Sequence, residues 1–89
     1  MYARDVFVWS LDGDLVAVAY SEKRDVLAAV SKRQDGFILS LCFPDSDHTK
    51  HRPIEPFLLP WMIWDPEGVL RVLVGVEGEN LLLRTETTD

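Results

Sequence analysis

The segment DSDHTKH at positions 45–51 gathers the side chains best suited to hold a divalent transition metal: carboxylates at Asp45 and Asp47, imidazoles at His48 and His51. Oxygen and imidazole donors suit such ions, but the spacing fits no defined ligand motif. HxxH lacks the helical i, i+4 geometry that aims two imidazoles at one ion. The expectation is a solvated polar loop, with no metal and no cofactor.

A second arrangement recurs along the chain. Acids at i and i+2 bracket a turn at Asp12 and Asp14, Asp45 and Asp47, Asp65 and Glu67, and Glu77 and Glu79. Turns meeting at one end of a sheet would build a negative rim that attracts a basic protein. Aspartate is also an ordinary turn former, so the pattern by itself marks turns and nothing more.

Nucleophilic chemistry finds little support. Cys42 is the only cysteine, so no internal disulfide exists, and it lies within the apolar run FILSLCF as a small buried hydrophobe would. No nucleophile elbow, phosphate loop or zinc-protease motif is present. The balance of 9 Lys and Arg against 15 Asp and Glu gives a net charge of −6. That sign opposes direct nucleic-acid binding, which needs clustered cations. The basic doublets Lys23-Arg24 and Lys32-Arg33 are interrupted by acids. No apolar run approaches the roughly 20 residues that cross a bilayer, and no basic-then-apolar leader opens the chain. The expected location is the cytoplasm, away from membranes.

The richest apolar surface lies in RPIEPFLLPWMIWDPEG, residues 52–68, beside prolines 53, 56, 60 and 66. Prolines at this density exclude a helix. Trp61, Met62 and Trp64 are therefore read as anchors, in the core or in a protein contact, because tryptophan is a common hot-spot residue.

The elements that must position these groups follow from periodicity. Residues 5–20 predict a hairpin about Asp12-Gly13, with Trp9 facing Val16. Residues 21–36, SEKRDVLAAVSKRQDG, predict a helix with Ser21 as N-cap, an apolar stripe of Val26, Leu27 and Val30, and Gly36 as its stop. Residues 36–43, GFILSLCF, predict a strand, and the order strand, helix, strand permits a parallel crossover from the hairpin, right-handed where it forms. Residues 44–56 predict a loop. A meander follows: a short strand over 61–64, a turn at Asp65–Gly68, and a hairpin about Gly78-Glu79 in which Val76 faces Leu81, Val74 faces Leu83 and Arg71 faces Glu86. That count places Trp61, Ile63, Leu70, Val72, Val74, Val76, Leu81 and Leu83 on one face, and Met62, Trp64, Val69, Arg71, Leu73, Leu82, Arg84 and Glu86 on the other. The polar tail TETTD is expected to fray.

Residues 1–89 thus predict a single α+β domain: a mostly antiparallel sheet of about five to six strands with one helix packed on one face, ββαβ and then a β-meander. A helix of about 13 residues spans roughly 20 Å, whereas six strands make a sheet roughly 25–30 Å wide. The uncovered remainder must be covered by a second chain, the favoured reading, or by the sheet curling on itself into a small half-barrel that buries everything internally. The function expected is that of a small acidic, non-catalytic protein-binding protein: an inhibitor, an immunity-type factor or an accessory subunit. It would be a homodimer, with a basic protein as a further partner. Its interface would use Trp61, Met62 and Trp64 as anchors and Asp65, Glu67, Glu77 and Glu79 for electrostatic selectivity. The alternative is a small-molecule or metal-binding domain, or a minor enzyme, with the 45–51 loop as a lid.

Overall fold

The computed structural model describes residues 8–11, 13–46 and 48–88. Among the described residues seven strands build two antiparallel sheets, and there is no helix. The first sheet comprises β1 (Asp14–Ser21), β2 (Val26–Arg33), β3 (Gly36–Phe43) and β4 (His48–Ile54), in that spatial order. The second comprises β5 (Met62–Trp64), β6 (Leu70–Glu77) and β7 (Asn80–Glu86), also in order. Within each sheet every strand pairs with its chain neighbour as a hairpin, and β4 and β5, in different sheets, do not pair.

The α+β expectation is overturned at one place. Residues 21–36 form a turn and the central strand β2, not a helix. β2 lies between β1 and β3, and Val26 and Ala28 to Ser31 are all buried. A strand covered on both faces loses the polar–apolar alternation that marks a half-exposed one. Two alanines and charged ends then imitate an amphipathic helix. The start signal is real but local: Ser21 Oγ accepts the Arg24 N–H at 3.2 Å, as an N-cap would. Asp25 then adopts φ 50°, which reverses the chain after one turn. Without a helix there is no parallel crossover.

Other expectations need smaller corrections. Of the hairpin expected over residues 5–20 about Asp12-Gly13, residues 5–7 and Asp12 lie outside the described residues. Residues 8–11 form no strand, and β1 pairs with β2, Ala17 opposite Val30. The expected 44–56 loop contains β4, an edge strand in which His51 faces Ser40. Pro53 is tolerated there because an edge strand can spare an N–H. The tail residue Thr88 is buried and accepts a hydrogen bond from Arg24 Nη1.

The C-terminal meander is present, but two slips of one residue change its faces. Asp65 N donates to Val69 O, so the β5–β6 loop holds one residue more than a four-residue turn, and Trp64 faces Leu70. Val76 does face Leu81, but a bulge at Val74 breaks the count beyond it. Leu73, not Val74, faces Leu83, and Arg71 faces Thr85, not Glu86. A slip of one residue exchanges the two faces of a strand. Met62, Trp64, Leu70 and Val72 therefore share the inner face, and Ile63, Leu73, Val76, Leu81 and Leu83 the outer one.

The two sheets share one core. Val30, Leu39, Leu70 and Val72 are fully buried, joined by Ala17, Leu41, Ile54 and Met62, with Phe57 and Trp64 packed against them. The second sheet does the roofing that the helix was expected to do. No helix of the described residues is long and apolar enough to cross a membrane.

Candidate functional site

The β6–β7 hairpin starts inside the core and ends outside it. Leu70 and Val72 are fully buried, whereas two turns of the pleat further on Val76 is 61% exposed. On the returning strand Leu81, Leu82 and Leu83 are 64%, 41% and 46% exposed. Successive strand residues point to opposite faces. Three consecutive exposed leucines therefore mean that both faces of the ribbon meet water. Residues 74–83 form an arm that the first sheet does not roof. The turn at its tip uses Gly78 at φ 61°, a conformation natural to glycine. Glu77 precedes that turn and Glu79 is its second residue, and both are exposed.

The inner half of the hairpin is held firmly. The Glu86 carboxylate accepts from Arg52 Nη2 at 2.8 Å and from Arg84 Nε at 2.5 Å, with only 9% of its side chain exposed. Arg52 also donates to Thr87 O, and Arg84 to the carbonyls of Glu55 and Pro56. These bonds tie β7 to β4 and to the crossing segment between the sheets. On the other side, Leu58 N donates to Leu73 O and Leu73 N to Trp61 O, which covers β6 as far as Leu73. Beyond Leu73 on β6, and along residues 80–83 of β7, no other described strand pairs with the ribbon. An exposed apolar edge of this kind is a template for another chain.

The residues singled out from sequence divide between two ends of the molecule. Trp61 is 62% exposed on the crossing segment. Met62 is buried in the core. Trp64 is half-buried; its indole N–H donates to Ala19 O at 2.9 Å and caps the edge of β1, while the Arg24 guanidinium lies 5.8 Å from its ring centre. One face of the indole is therefore occupied by the chain itself. Asp65 organises its own turn: Oδ1 accepts the N–H groups of Glu67 and Val69, both at 2.9 Å, and Oδ2 pairs with Arg71 at 3.2 Å. The Val69 N–H, helped by that of Glu67 and by Arg71, holds the Asp65 carboxyl below its ordinary range. Glu67 is exposed in the same turn. Arg24 Nη1 reaches the Gly68 carbonyl at 3.5 Å, so this turn sits beside the β1–β2 turn. Glu77 and Glu79 belong to the opposite, projecting end. Asp45 falls with the β1–β2 turn, whereas Asp14 begins β1 at the far end of the first sheet. The acid pairs accordingly build no common rim. Asp12 and Asp47 lie outside the described residues.

The leucine run Leu81–Leu83 is the feature that sequence reasoning passed over as an interface. Its signal is visible in retrospect: three consecutive large apolar residues follow a two-residue turn, and no neighbouring sequence offers cover for both faces.

The groups with possible chemistry are placed otherwise. His48 and His51 stand three residues apart on β4 and so point to opposite faces. Among the described residues no group of three or more metal-ligating side chains converges. Ser40 Oγ lies 2.7 Å from His51 Nδ1, but Ser40 is fully buried in mid-sheet, where no substrate reaches its hydroxyl. Cys42 is buried on the same face, and desolvation pushes its thiol pKa up, away from the reactive thiolate. The Tyr20 hydroxyl donates to Asp25 at 2.6 Å, and this bond, with the nearby acids, raises the phenol above its ordinary value. No protein-family model, no curated protein and no solved structure matches the chain.

Proposed function

We propose that this chain is a small acidic, non-catalytic protein-binding protein that works as a homodimer, in the role of an inhibitor, an immunity-type factor or an accessory subunit. The observation that carries the reading is the projecting arm, apolar on both faces and open along its edge. Contiguous exposed apolar surface on a small chain marks a contact site. An isolated two-stranded ribbon is at best marginally stable in water, so a partner would also order the arm. The net charge of −6 and the acids at the arm's tip favour a basic protein as a further partner, bound less tightly as salt rises. A lone buried cysteine suits the cytoplasm, where disulfides are rare.

Light scattering and sedimentation test the reading. The native chain should give twice the 10.2 kDa of one copy. Leu81→Lys combined with Leu83→Lys should return it to one copy with an unchanged far-ultraviolet spectrum. A native chain that stays monomeric at about 1 mM, weaker than any useful affinity, would overturn the homodimer.

A further inference from the structure

We infer that two copies pair through the outer edges of their β7 strands, antiparallel about a two-fold axis at Leu82, so that the two three-stranded sheets become one of six strands. This deepens the protein-contact reading and rests on it.

The arm offers two edges, and they differ. The β6 edge carries the bulge at Val74, which interrupts its ladder of backbone groups. Bulges blunt an edge against pairing. The β7 edge has no such interruption. Its inner part is engaged, since Arg52 donates to Thr87 O and Glu86 is clamped by two arginines. What remains is the stretch from the turn to Leu83.

Hydrogen-bond parity limits the register. Glu77 and Asn80 close the two-residue turn, and Leu82 faces Gly75 two positions on. Closing pairs exchange both backbone bonds, and such pairs alternate along an antiparallel ladder. Asn80 and Leu82 therefore spend their backbone groups on β6, while Leu81 and Leu83 direct theirs outward. A symmetric antiparallel pairing must join outward residues to outward residues. Three centres satisfy this: Leu81, Leu82 and Leu83.

Side-chain chemistry decides among them. Centred on Leu83, the pairing sets Leu82 against the charge of Arg84 and Leu81 against Thr85, so two of the three leucines face polar residues. Centred on Leu81, it sets Glu79 against Leu83. Centred on Leu82, it sets Leu81 against Leu83 twice and Leu82 against its own copy, so every leucine faces a leucine. In that register Glu79 lies opposite Thr85, the residue whose hydroxyl accepts from Arg71 Nη1 at 3.0 Å. The acid at the tip of each arm thereby meets the outer face of the other, where Arg71, already paired with Asp65 on one side, takes a second carboxylate. Opposite charges on neighbouring strands favour a register, and like charges oppose it.

Single cysteines read the centre directly. A two-fold axis brings only the central residue against itself, at the Cα separation of about 4.5–5.5 Å that a disulfide accepts. Leu81→Cys, Leu82→Cys and Leu83→Cys, each in the full chain with Cys42→Ala, are oxidised mildly and followed by denaturing electrophoresis, with sedimentation of the reduced proteins alongside. The expected result is a covalent dimer from Leu82→Cys at least tenfold faster than from the other two. Fastest cross-linking of Leu81→Cys or Leu83→Cys overturns the register, as does a reduced dimer in which none cross-links; both leave the protein-contact reading standing. Reduced proteins and native chain that are all monomeric overturn the dimer itself. Charge reversal supplies a second readout. Glu79→Arg should weaken native dimerisation, and adding Arg71→Glu should restore it; absence of restoration removes the Glu79–Arg71 contact.

Discussion

Replacing Leu81 by alanine separates specific pairing of the arm from general stickiness. The change removes three carbons, worth about 0.8 kcal/mol each when fully withdrawn from water. Leu81 is 64% exposed in one copy, and a strand added at the β7 edge covers one flank while the sheet face stays in water, so withdrawing about half of that exposure gains about 0.8 kcal/mol per subunit and about 1.5 kcal/mol per dimer. At 1.4 kcal/mol per tenfold, the dimer dissociation constant should rise roughly tenfold. The folded monomer loses almost nothing, because an exposed surface substitution stays within about 0.5 kcal/mol. Sedimentation equilibrium over a concentration series measures the first quantity, and urea unfolding at a concentration below dissociation measures the second. Val18 provides the control: it is 52% exposed on the outer face of the first sheet, away from the arm. Val18→Ala should leave the dissociation constant unchanged. If Leu81→Ala shifts it less than threefold, or Val18→Ala shifts it as much, association does not run through the arm.

Three further changes probe how the arm is mounted. Trp64→Phe removes the indole bond that caps Ala19 O and should lower stability by about 1–2 kcal/mol in urea; a loss near zero would mean water replaces the bond at no cost. Glu86→Ala leaves Arg52 and Arg84 facing one another, and should cost about 2 kcal/mol, under the fully buried range because the two arginine side chains stay 39% and 31% exposed; recovery of part of that loss by Arg84→Met would confirm like-charge repulsion, and no recovery would exclude it. The Asp65 carboxyl is held below its ordinary value, first by the Val69 N–H, so its contribution is complete above the unfolded value of about 4 and is lost as pH falls through the lower folded one. The stability difference between the native chain and Asp65→Asn should therefore shrink below about pH 4; a difference constant from pH 6 to pH 2.5 would show that the carboxylate charge is irrelevant there.

Local chemistry made part of the fold legible. The turn at Asp65–Gly68, the turn at Gly78-Glu79, the pairing of Val76 with Leu81 and the strand over 36–43 all follow from residues whose preferences act within a few positions. What stayed hidden depends on tertiary cover. β2 mimics a helix because both of its faces are buried, and burial of that kind leaves no period of two in the sequence. β4 mimics a loop because an edge strand needs half as many backbone partners and can carry His48, Lys50, His51 and Pro53. The bulge at Val74 has no sequence mark, since a bulge adds one ordinary residue and is chosen by the twist the hairpin must follow. The extra residue in the β5–β6 loop, equally unmarked, sets Trp64 opposite Leu70 and so puts Trp64 and Met62 on the core-facing side with Leu70 and Val72.

The greasy strands needed more cover than one helix could provide, and the correction changes where that shortage falls. With a second sheet over the first, Met62 is hidden, Trp64 is half-hidden and the inner faces are satisfied without a partner. The uncovered surface moves to the place where the two sheets stop overlapping. The first sheet is anchored to β7 at Arg52, opposite the inner half of the hairpin, and β6 and β7 continue past that point for most of their length. Selection for a soluble monomer would favour polar residues along such an overhang, because neither face has packing to gain. Val76, Leu81, Leu82 and Leu83 stand there instead, while Glu77 and Glu79 close the tip. An apolar ribbon ending in acids has little to contribute to its own core. Its composition makes physical sense when another strand lies beside the leucines and a cation lies within reach of the tip, and the edge of a second β7, with Arg71 on the neighbouring strand, supplies both.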